Sequence, residues 1–161
     1  MNLETFKQCN LDFDVCFGTD CTIASHVRVG LLGNNFPIFC SGERNGIWQN
    51  ICKVWGYDTP TLDVPDKRVQ MMVQWDKESV WLSGGYFGSS GTTQDSVIIS
   101  LGGVTPGPDL PYASAEYCIV QINDDLFAMI GGEGHSNHLR FYSKSTNSWS
   151  PGPNTLYGRS T

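Results

Sequence analysis

The sequence has few basic residues, no long apolar run and no recognisable secretion signal, and each absence narrows the class of protein. Its 10 Lys and Arg face 16 Asp and Glu, and a net charge of −6 argues against binding of nucleic acid or of an anionic membrane surface. No run approaches the ~20 apolar residues of a membrane span, so no membrane insertion is expected. Residues 1–21 lack the basic and apolar regions of a signal peptide. Two alternatives stay open: Met1 is an internal methionine of a longer chain, or the protein is cytosolic.

Motifs typical of catalysis or metal binding are missing as well. The sequence has no C-x-x-C pair, no phosphate-binding glycine motif and no N-glycosylation sequon. His135 and His138 have an H-x-x-H spacing beside Glu133, but this pattern is more typical of a solvated loop than of a metal site. Asp124 and Asp125 are paired carboxylates in a predicted hairpin turn, where Asp is common. We therefore expect no catalytic residue, no cofactor and no metal.

Glycine and aromatic residues, in contrast, are abundant. The chain contains 18 Gly, 5 Trp, 6 Tyr and 8 Phe, while only 16% of its residues are charged. This composition suits short strands and tight turns better than surface helices, and no stretch of useful length shows helical periodicity. The sequence therefore predicts an all-β fold that forms one domain or part of a larger one.

Five of the six cysteines lie in the first third of the chain, which favours disulfide bonds. Cys40 and Cys52 are the best pair, because they flank residues 41–50, which have the composition of a hairpin loop. Facing residues of an antiparallel pair lie close enough to be bridged. Two questions stay open: whether all six cysteines are reduced, and whether Cys118 is a buried thiol or is bonded to the N-terminal cysteines. That N-terminal group contains Cys9, Cys16 and Cys21.

A repeat of about 45 residues organises most of the chain. Residues 73–85 match residues 120–132 at an offset of 47, and each segment reads as strand, polar turn, strand and double glycine. The Pro-Gly-Pro of residues 106–108 recurs at 151–153, and residues 36–42 are a weaker copy of the strand before the double glycine. Self-similarity at this period indicates a repeat architecture. The three units cover 25–66, 67–112 and 113–161, and residues 1–24 form an unassigned cysteine-containing segment.

Each unit is predicted to contain four antiparallel strands, lettered a to d. Strand b is followed by the glycine pair, and the loop that joins strands b and c begins there. The predicted strands are 27–32, 36–40, 50–55 and 59–62 in the first unit, 69–75, 80–83, 96–100 and 103–105 in the second, and 116–122, 126–131, 139–142 and the region of Trp149 in the third.

The third unit resembles a kelch repeat. Gly131-Gly132 is followed by Tyr142, then Trp149, then a Pro-Gly-Pro turn, which is similar to the order of residues in kelch units. The second unit keeps Gly84-Gly85 but has Val104 where the tryptophan would align, and the first keeps a single glycine. The resemblance implies a partial β-propeller of about three four-stranded blades. Since propellers need about four to eight blades, it also implies further blades of the same propeller.

Structural roles are expected for the residues that define the repeat. A residue without Cβ lets the chain turn sharply after strand b, and large aromatic side chains fill the space between neighbouring sheets. These structural positions are Gly84, Gly85, Gly131, Gly132, Tyr142 and Trp149.

The resemblance implies that the b–c loops bind a partner at one mouth of the propeller. Tyr86 and Phe87 are the strongest candidates for partner contact, because aromatic residues in a loop have no obvious core to join and are enriched at binding hot spots. We expect a non-catalytic, extracellular module that binds a protein or peptide. A cytosolic kelch adaptor and a fragment of a galactose-oxidase-like copper enzyme are the alternatives. The expected contact residues are Glu43, Arg44, Asn45, Tyr86, Phe87, Ser89, Ser90, Glu133, His135, Ser136 and Asn137.

Overall fold

The computed structural model describes ten segments of the chain, and all of their regular structure is β-strand apart from a single residue of 3₁₀ helix. No helix in this part of the chain is long and apolar enough to cross a membrane. The described segments are residues 13–17, 20–24, 27–33, 36–40, 42–44, 47–48, 50–55, 62–64, 71–86 and 91–156.

Twelve of the strands form three four-stranded antiparallel sheets, which confirms the predicted all-β fold and its three four-stranded units. In each sheet the strands follow one another in chain order as a meander, and none of the three closes on itself within the described segments. The first sheet contains β3 (Arg28–Leu32), β4 (Phe36–Cys40), β7 (Ile51–Val54) and β8 (Leu62–Asp63). The second contains β9 (Met71–Asp76), β10 (Ser79–Ser83), β11 (Ser96–Ser100) and β12 (Gly103–Pro106), and the third contains β13 (Tyr117–Gln121), β14 (Leu126–Gly131), β15 (Leu139–Ser143) and β16 (Ser148–Pro151).

Two short hairpins lie outside the three sheets. Strands β1 (Phe13–Phe17) and β2 (Asp20–Ala24) pair within residues 1–24, the segment for which the sequence predicts no structure. Cys16 lies opposite Cys21 in their register. Strands β5 (Glu43–Arg44) and β6 (Ile47–Trp48) pair within the connection from β4 to β7. The second hairpin agrees with the predicted hairpin character of residues 41–50.

The turns between the first two strands of the second and third sheets are built alike. The side chain of Asp76 accepts a hydrogen bond from the backbone amide of Glu78 at 2.8 Å. Asn123, 47 residues later, accepts one from the backbone amide of Asp125 at 2.9 Å. Short polar side chains that bond to the backbone two residues ahead stabilise tight turns. The repeat in the sequence is therefore also a repeat of hydrogen bonding.

The three sheets form a stack in the order first, second, third, and their first strands β3, β9 and β13 lie side by side. A glutamine marks each of these junctions. The side-chain amide of Gln74 donates to the Leu31 carbonyl oxygen at 2.8 Å. That of Gln121, its equivalent 47 residues later, donates to the Trp75 carbonyl oxygen at 3.5 Å. At the other edge of the sheets, the fourth strands β8 and β12 are also neighbours.

The core is divided between the two junctions of the stack. All five residues of β10 are buried, and successive side chains point to opposite faces, as in any strand. Val80 and Leu82 pack toward the first sheet, in an aliphatic cluster, whereas Trp81 packs toward the third sheet, in a largely aromatic one. The second sheet is therefore covered on both faces.

A disulfide bond joins Cys40 to Cys52 within the first sheet, as predicted. The two residues face each other in the register of β4 and β7, so the bond links adjacent strands. Cys118, in β13, is free and exposed. Both alternatives considered for Cys118, a buried thiol and a disulfide partner, are therefore wrong. Its side chain lies on the face of the third sheet that no other sheet of the described segments covers.

Candidate functional site

The glycine pairs fix the direction of the b–c loops of the second and third sheets. Gly84 has φ +57°, and a Cβ there would lie 2.7 Å from the Ser114 carbonyl oxygen. Gly132 has φ +108°, and a Cβ there would clash with the Ser114 side-chain oxygen. Contacts this short, together with positive φ, explain why glycine is required at both positions. The chain therefore turns sharply after β10 and after β14, close against the same backbone segment.

That segment, residues 114–115, belongs to the connection between the second and third sheets and anchors both loops. The amide of Gly85 donates to the Ser114 carbonyl oxygen at 2.9 Å, and the amide of Glu133 donates to the Ala115 carbonyl oxygen at 3.0 Å. The base of the second loop is closed by the amide of Thr93, which donates to the Gly85 carbonyl oxygen at 2.9 Å. Two loops that are almost fifty residues apart in the sequence are thereby held next to each other.

Tyr86 and Glu133 are the two predicted contact residues that this arrangement brings together. A side-chain hydrogen bond to Glu133, followed by burial and by the nearby charge of Glu116, raises the pKa of Tyr86. Tyr86 is only half-buried and Glu133 is exposed, so both remain accessible from solvent. The phenol donates to the carboxylate, and the pair joins the loop of the second sheet to the loop of the third.

An aromatic cluster lies beside this pair on the third sheet. The rings of Tyr112 and His135 are 3.9 Å apart between centroids, and His138 lies 4.9 Å from His135. Burial, His138 and Arg140 together lower the pKa of His135, so the fold favours its neutral form. Tyr112 was not predicted as a site residue. It comes from the connection between the sheets, where no repeat position or motif marks it.

The other predicted contact residues contribute less to this site. Ser136 and Asn137 are exposed, and the Asn137 carbonyl oxygen accepts a hydrogen bond from the Thr155 amide at 2.8 Å. Glu43 and Arg44 form β5, so the first b–c loop carries a backbone ladder and is not an open loop. Four predicted residues lie outside the described part of the chain: Asn45, Phe87, Ser89 and Ser90.

The aromatic residues of strands c and d lie at the junction of the second and third sheets. Tyr142 is buried, and its hydroxyl donates to the Asn147 side-chain oxygen at 2.8 Å. Trp149 packs at a centroid distance of 6.1 Å from Trp81, and its indole N–H donates to the Asp109 carbonyl oxygen at 2.8 Å. Trp149 is only partly buried, so the full burial expected of an inter-sheet tryptophan belongs to Trp81 instead.

Within the described segments, no three His, Cys, Asp or Glu side chains lie close enough together to hold a metal ion. The Asp125 carboxylate, one of the paired carboxylates noted in the sequence, accepts hydrogen bonds from the Ser145 amide at 2.7 Å and the Ser143 hydroxyl at 2.9 Å. It ties the turn after β13 to the turn after β15. Its contacts are those of a structural residue.

Comparison with protein-family models gives no match, and a search of curated proteins finds no relative.

Proposed function

We propose that the chain is part of a kelch-type β-propeller that binds a protein or peptide through its b–c loops, without catalysis. Support comes from four-stranded meanders repeated at a period near 45 residues and from a glycine pair after the second strand of two of them. The side-by-side packing of the first strands is the arrangement expected around a propeller axis. Fold alone does not imply function, so the binding proposal depends on the site.

The contact between Tyr86 and Glu133 is the observation that carries the proposal. It unites two loops from different sheets into one surface, and both loops are anchored on residues 114–115. Anchoring the ends of a loop reduces the entropy lost on binding, and a half-exposed tyrosine offers a large contact area with a polar end. The carboxylates of Glu133 and Glu116 beside this tyrosine favour a partner segment that contains Lys or Arg.

An extracellular setting is part of the proposal. The Cys40–Cys52 disulfide favours an oxidising compartment, because disulfides are rare where glutathione and thioredoxin keep thiols reduced. Alkylation and intact-mass analysis of protein from its native source tests this. A disulfide-linked peptide pair containing Cys40 and Cys52 supports it, whereas full alkylation of both cysteines would favour the cytosolic adaptor.

Peptide selection tests the binding surface. Peptides from a displayed random library are selected on the full chain, and their affinity is then measured for the variants Tyr86→Ala and Tyr86→Phe. We expect Tyr86→Ala to weaken binding by about tenfold or more, as at other hot spots, and to leave the thermal midpoint nearly unchanged. Tyr86→Phe keeps the ring and removes the hydrogen bond to Glu133, so it separates the two contributions.

Lys77→Ala is the matched control, because Lys77 is exposed in the turn after β9, at the opposite end of the strands. Selected peptides that bind Tyr86→Ala and Lys77→Ala as tightly as the parent chain would show that the b–c loops are not the binding surface. An equal loss of stability and affinity in Tyr86→Ala would show that Tyr86 is a packing residue.

A further inference from the structure

The two ends of the stack carry most of the exposed apolar side chains. In the described part of the chain six large hydrophobic residues are exposed, and five of them lie on the first or third sheet, on the face turned away from the second. We call these the outer faces. Exposed apolar patches of this kind mark interaction surfaces. The five residues are Val29, Leu31 and Trp55 on the first sheet and Val120 and Ile122 on, or directly after, the first strand of the third.

The outer face of the third sheet repeats a face that is covered elsewhere in the same chain. In β9, Val73 and Trp75 pack into the aromatic cluster against the third sheet. Their equivalents 47 residues later are Val120 and Ile122, which are 42% and 54% exposed. The same alternate positions of the first strand are therefore covered in the second sheet and uncovered in the third.

The outer face of the first sheet corresponds to the face of the second sheet that packs against the first. Matching Ser41 to Gly84 gives an offset of 43, so Val29 and Leu31 correspond to Met72 and Gln74. Met72 packs on the cluster between the first and second sheets, and Gln74 donates a hydrogen bond to the first sheet. Hence the outer face of the third sheet has the positions that, in the second sheet, pack against the sheet that follows. The outer face of the first sheet has the positions that, in the second sheet, pack against the sheet that precedes.

The sizes of the side chains on the two outer faces are complementary. Trp81 fills the junction between the second and third sheets, and the equivalent residue of the third sheet is the much smaller Ala128. On the outer face of the first sheet Trp55 is 58% exposed, with its ring against Phe39 at a centroid distance of 6.3 Å. A small side chain therefore lies on the outer face of the third sheet, and a large exposed ring lies on the outer face of the first.

We propose that the outer face of the third sheet binds the outer face of the first sheet of a second copy of this chain. Because each copy carries both faces, two such contacts close a ring of six sheets with twofold symmetry. Six lies within the four to eight sheets of known propellers, and a closed ring leaves no free face for further growth. The inference depends on the stacking of the sheets and not on the proposed binding function of the b–c loops.

Sedimentation equilibrium of the full chain, with its disulfide intact, tests the proposal. The expected mass is twice the 17.8 kDa of one chain. Val120→Glu and Trp55→Glu, on the two different outer faces, are each expected to reduce the mass to that of one chain or to weaken the dimer by a large factor. Thr146→Glu introduces the same charge at an exposed turn of the third sheet and is expected to leave the dimer intact.

Cys118 supplies a second measurement that needs no substitution. It lies on the outer face of the third sheet, next to Ile119 and two positions before Val120, so the dimer is expected to slow its alkylation. Peptide-resolved mass spectrometry should show faster alkylation of Cys118 on dilution and in Val120→Glu. Unchanged alkylation under both conditions would contradict burial of this face.

A mixing experiment distinguishes the proposed ring from a symmetric contact between two third sheets. A Val120→Glu chain keeps an intact first sheet and a Trp55→Glu chain keeps an intact third sheet, so the mixture should form a heterodimer through one contact. A Trp55→Glu chain that remains fully dimeric by itself overturns the proposed pairing. A wild-type chain that stays monomeric at all concentrations would show that a second copy does not bind these faces. The outer faces would then bind a sheet from another polypeptide or from a longer form of this one.

Discussion

The two faces of the second sheet are packed in different ways. Toward the first sheet its side chains are aliphatic, with Val80, Leu82 and Ile99 against a sheet that contains the Cys40–Cys52 disulfide. Toward the third sheet the packing is largely aromatic, and the centroid of the Trp81 ring lies 5.4 to 6.1 Å from those of four further rings. The aromatic junction also contains a buried hydrogen bond between its two sheets, because the Ser83 and Tyr117 hydroxyls lie 2.7 Å apart, whereas the indole N–H of Trp81 has no partner among the described residues.

Among the substitutions that test the difference between the two faces, removal of the Trp81 side chain should lower stability most. Its side chain is fully buried at the centre of the aromatic junction, so Trp81→Ala is expected to lower the free energy of unfolding by about 3–5 kcal/mol. Chemical denaturation followed by circular dichroism measures the change. Trp55→Ala removes an exposed ring and should cost far less in monomeric protein. Equal losses for the two variants would mean that the aromatic junction is not the main source of stability.

Removing the disulfide should have the next largest effect, and it should act on the first sheet. Cys40 and Cys52 are 12 residues apart, and a crosslink that closes a loop of this size stabilises by about 2–4 kcal/mol. The double variant Cys40→Ala/Cys52→Ala is expected to lose this amount, and hydrogen exchange should rise more in β4 and β7 than in β14. Cys118→Ser is the matched thiol control and should change stability little. Uniform loss of protection across all three sheets would show that the two junctions unfold as one unit.

A buried hydrogen bond tests the specificity of the aromatic junction. The hydroxyls of Ser83 and Tyr117 lie 2.7 Å apart, and burial raises the pKa of Tyr117 well above its usual value. Ser83→Ala and Tyr117→Phe should each cost about 1–3 kcal/mol, because each leaves a buried hydroxyl or its partner unpaired. The double variant should cost less than the two single costs combined, and a double-mutant cycle measures the difference. Strict additivity would mean that the two hydroxyls do not interact.

The strands could be predicted from the sequence because their signals are local. Alternation of apolar residues, polar turns and glycine pairs placed twelve strands in three meanders, and the spacing of Cys40 and Cys52 across a hairpin indicated the disulfide. The contact between Tyr86 and Glu133 could not be predicted, because it depends on how residues 114–115 fold between two loops. Cys118 was misjudged for a related reason. Its apolar neighbours indicate burial, but burial requires another sheet on that face.

The substitution with the smallest expected effect on stability lies in the turn that contains Asp125, and its effect depends on pH. Hydrogen bonds from the Ser145 amide and the Ser143 hydroxyl lower the pKa of Asp125 in the folded protein below its ordinary value of 3.8. A carboxyl group whose pKa is lower in the folded state stabilises the fold above its unfolded pKa, and this stabilisation is lost as the pH falls through the folded pKa. Asp125→Asn should therefore lower the thermal midpoint at neutral pH, and its difference from the wild type should shrink as the pH falls below about 3.8.

The equivalent change at Asp124 is the control for this turn. Asp124 is exposed beside Asp125, and within the described segments its carboxylate accepts no hydrogen bond. Asp124→Asn makes the same change in charge, so a general effect of net charge should appear in both variants. A difference that persists in acid for Asp125→Asn, or that appears equally for Asp124→Asn, would show that the hydrogen bonds to Asp125 do not set the acid sensitivity.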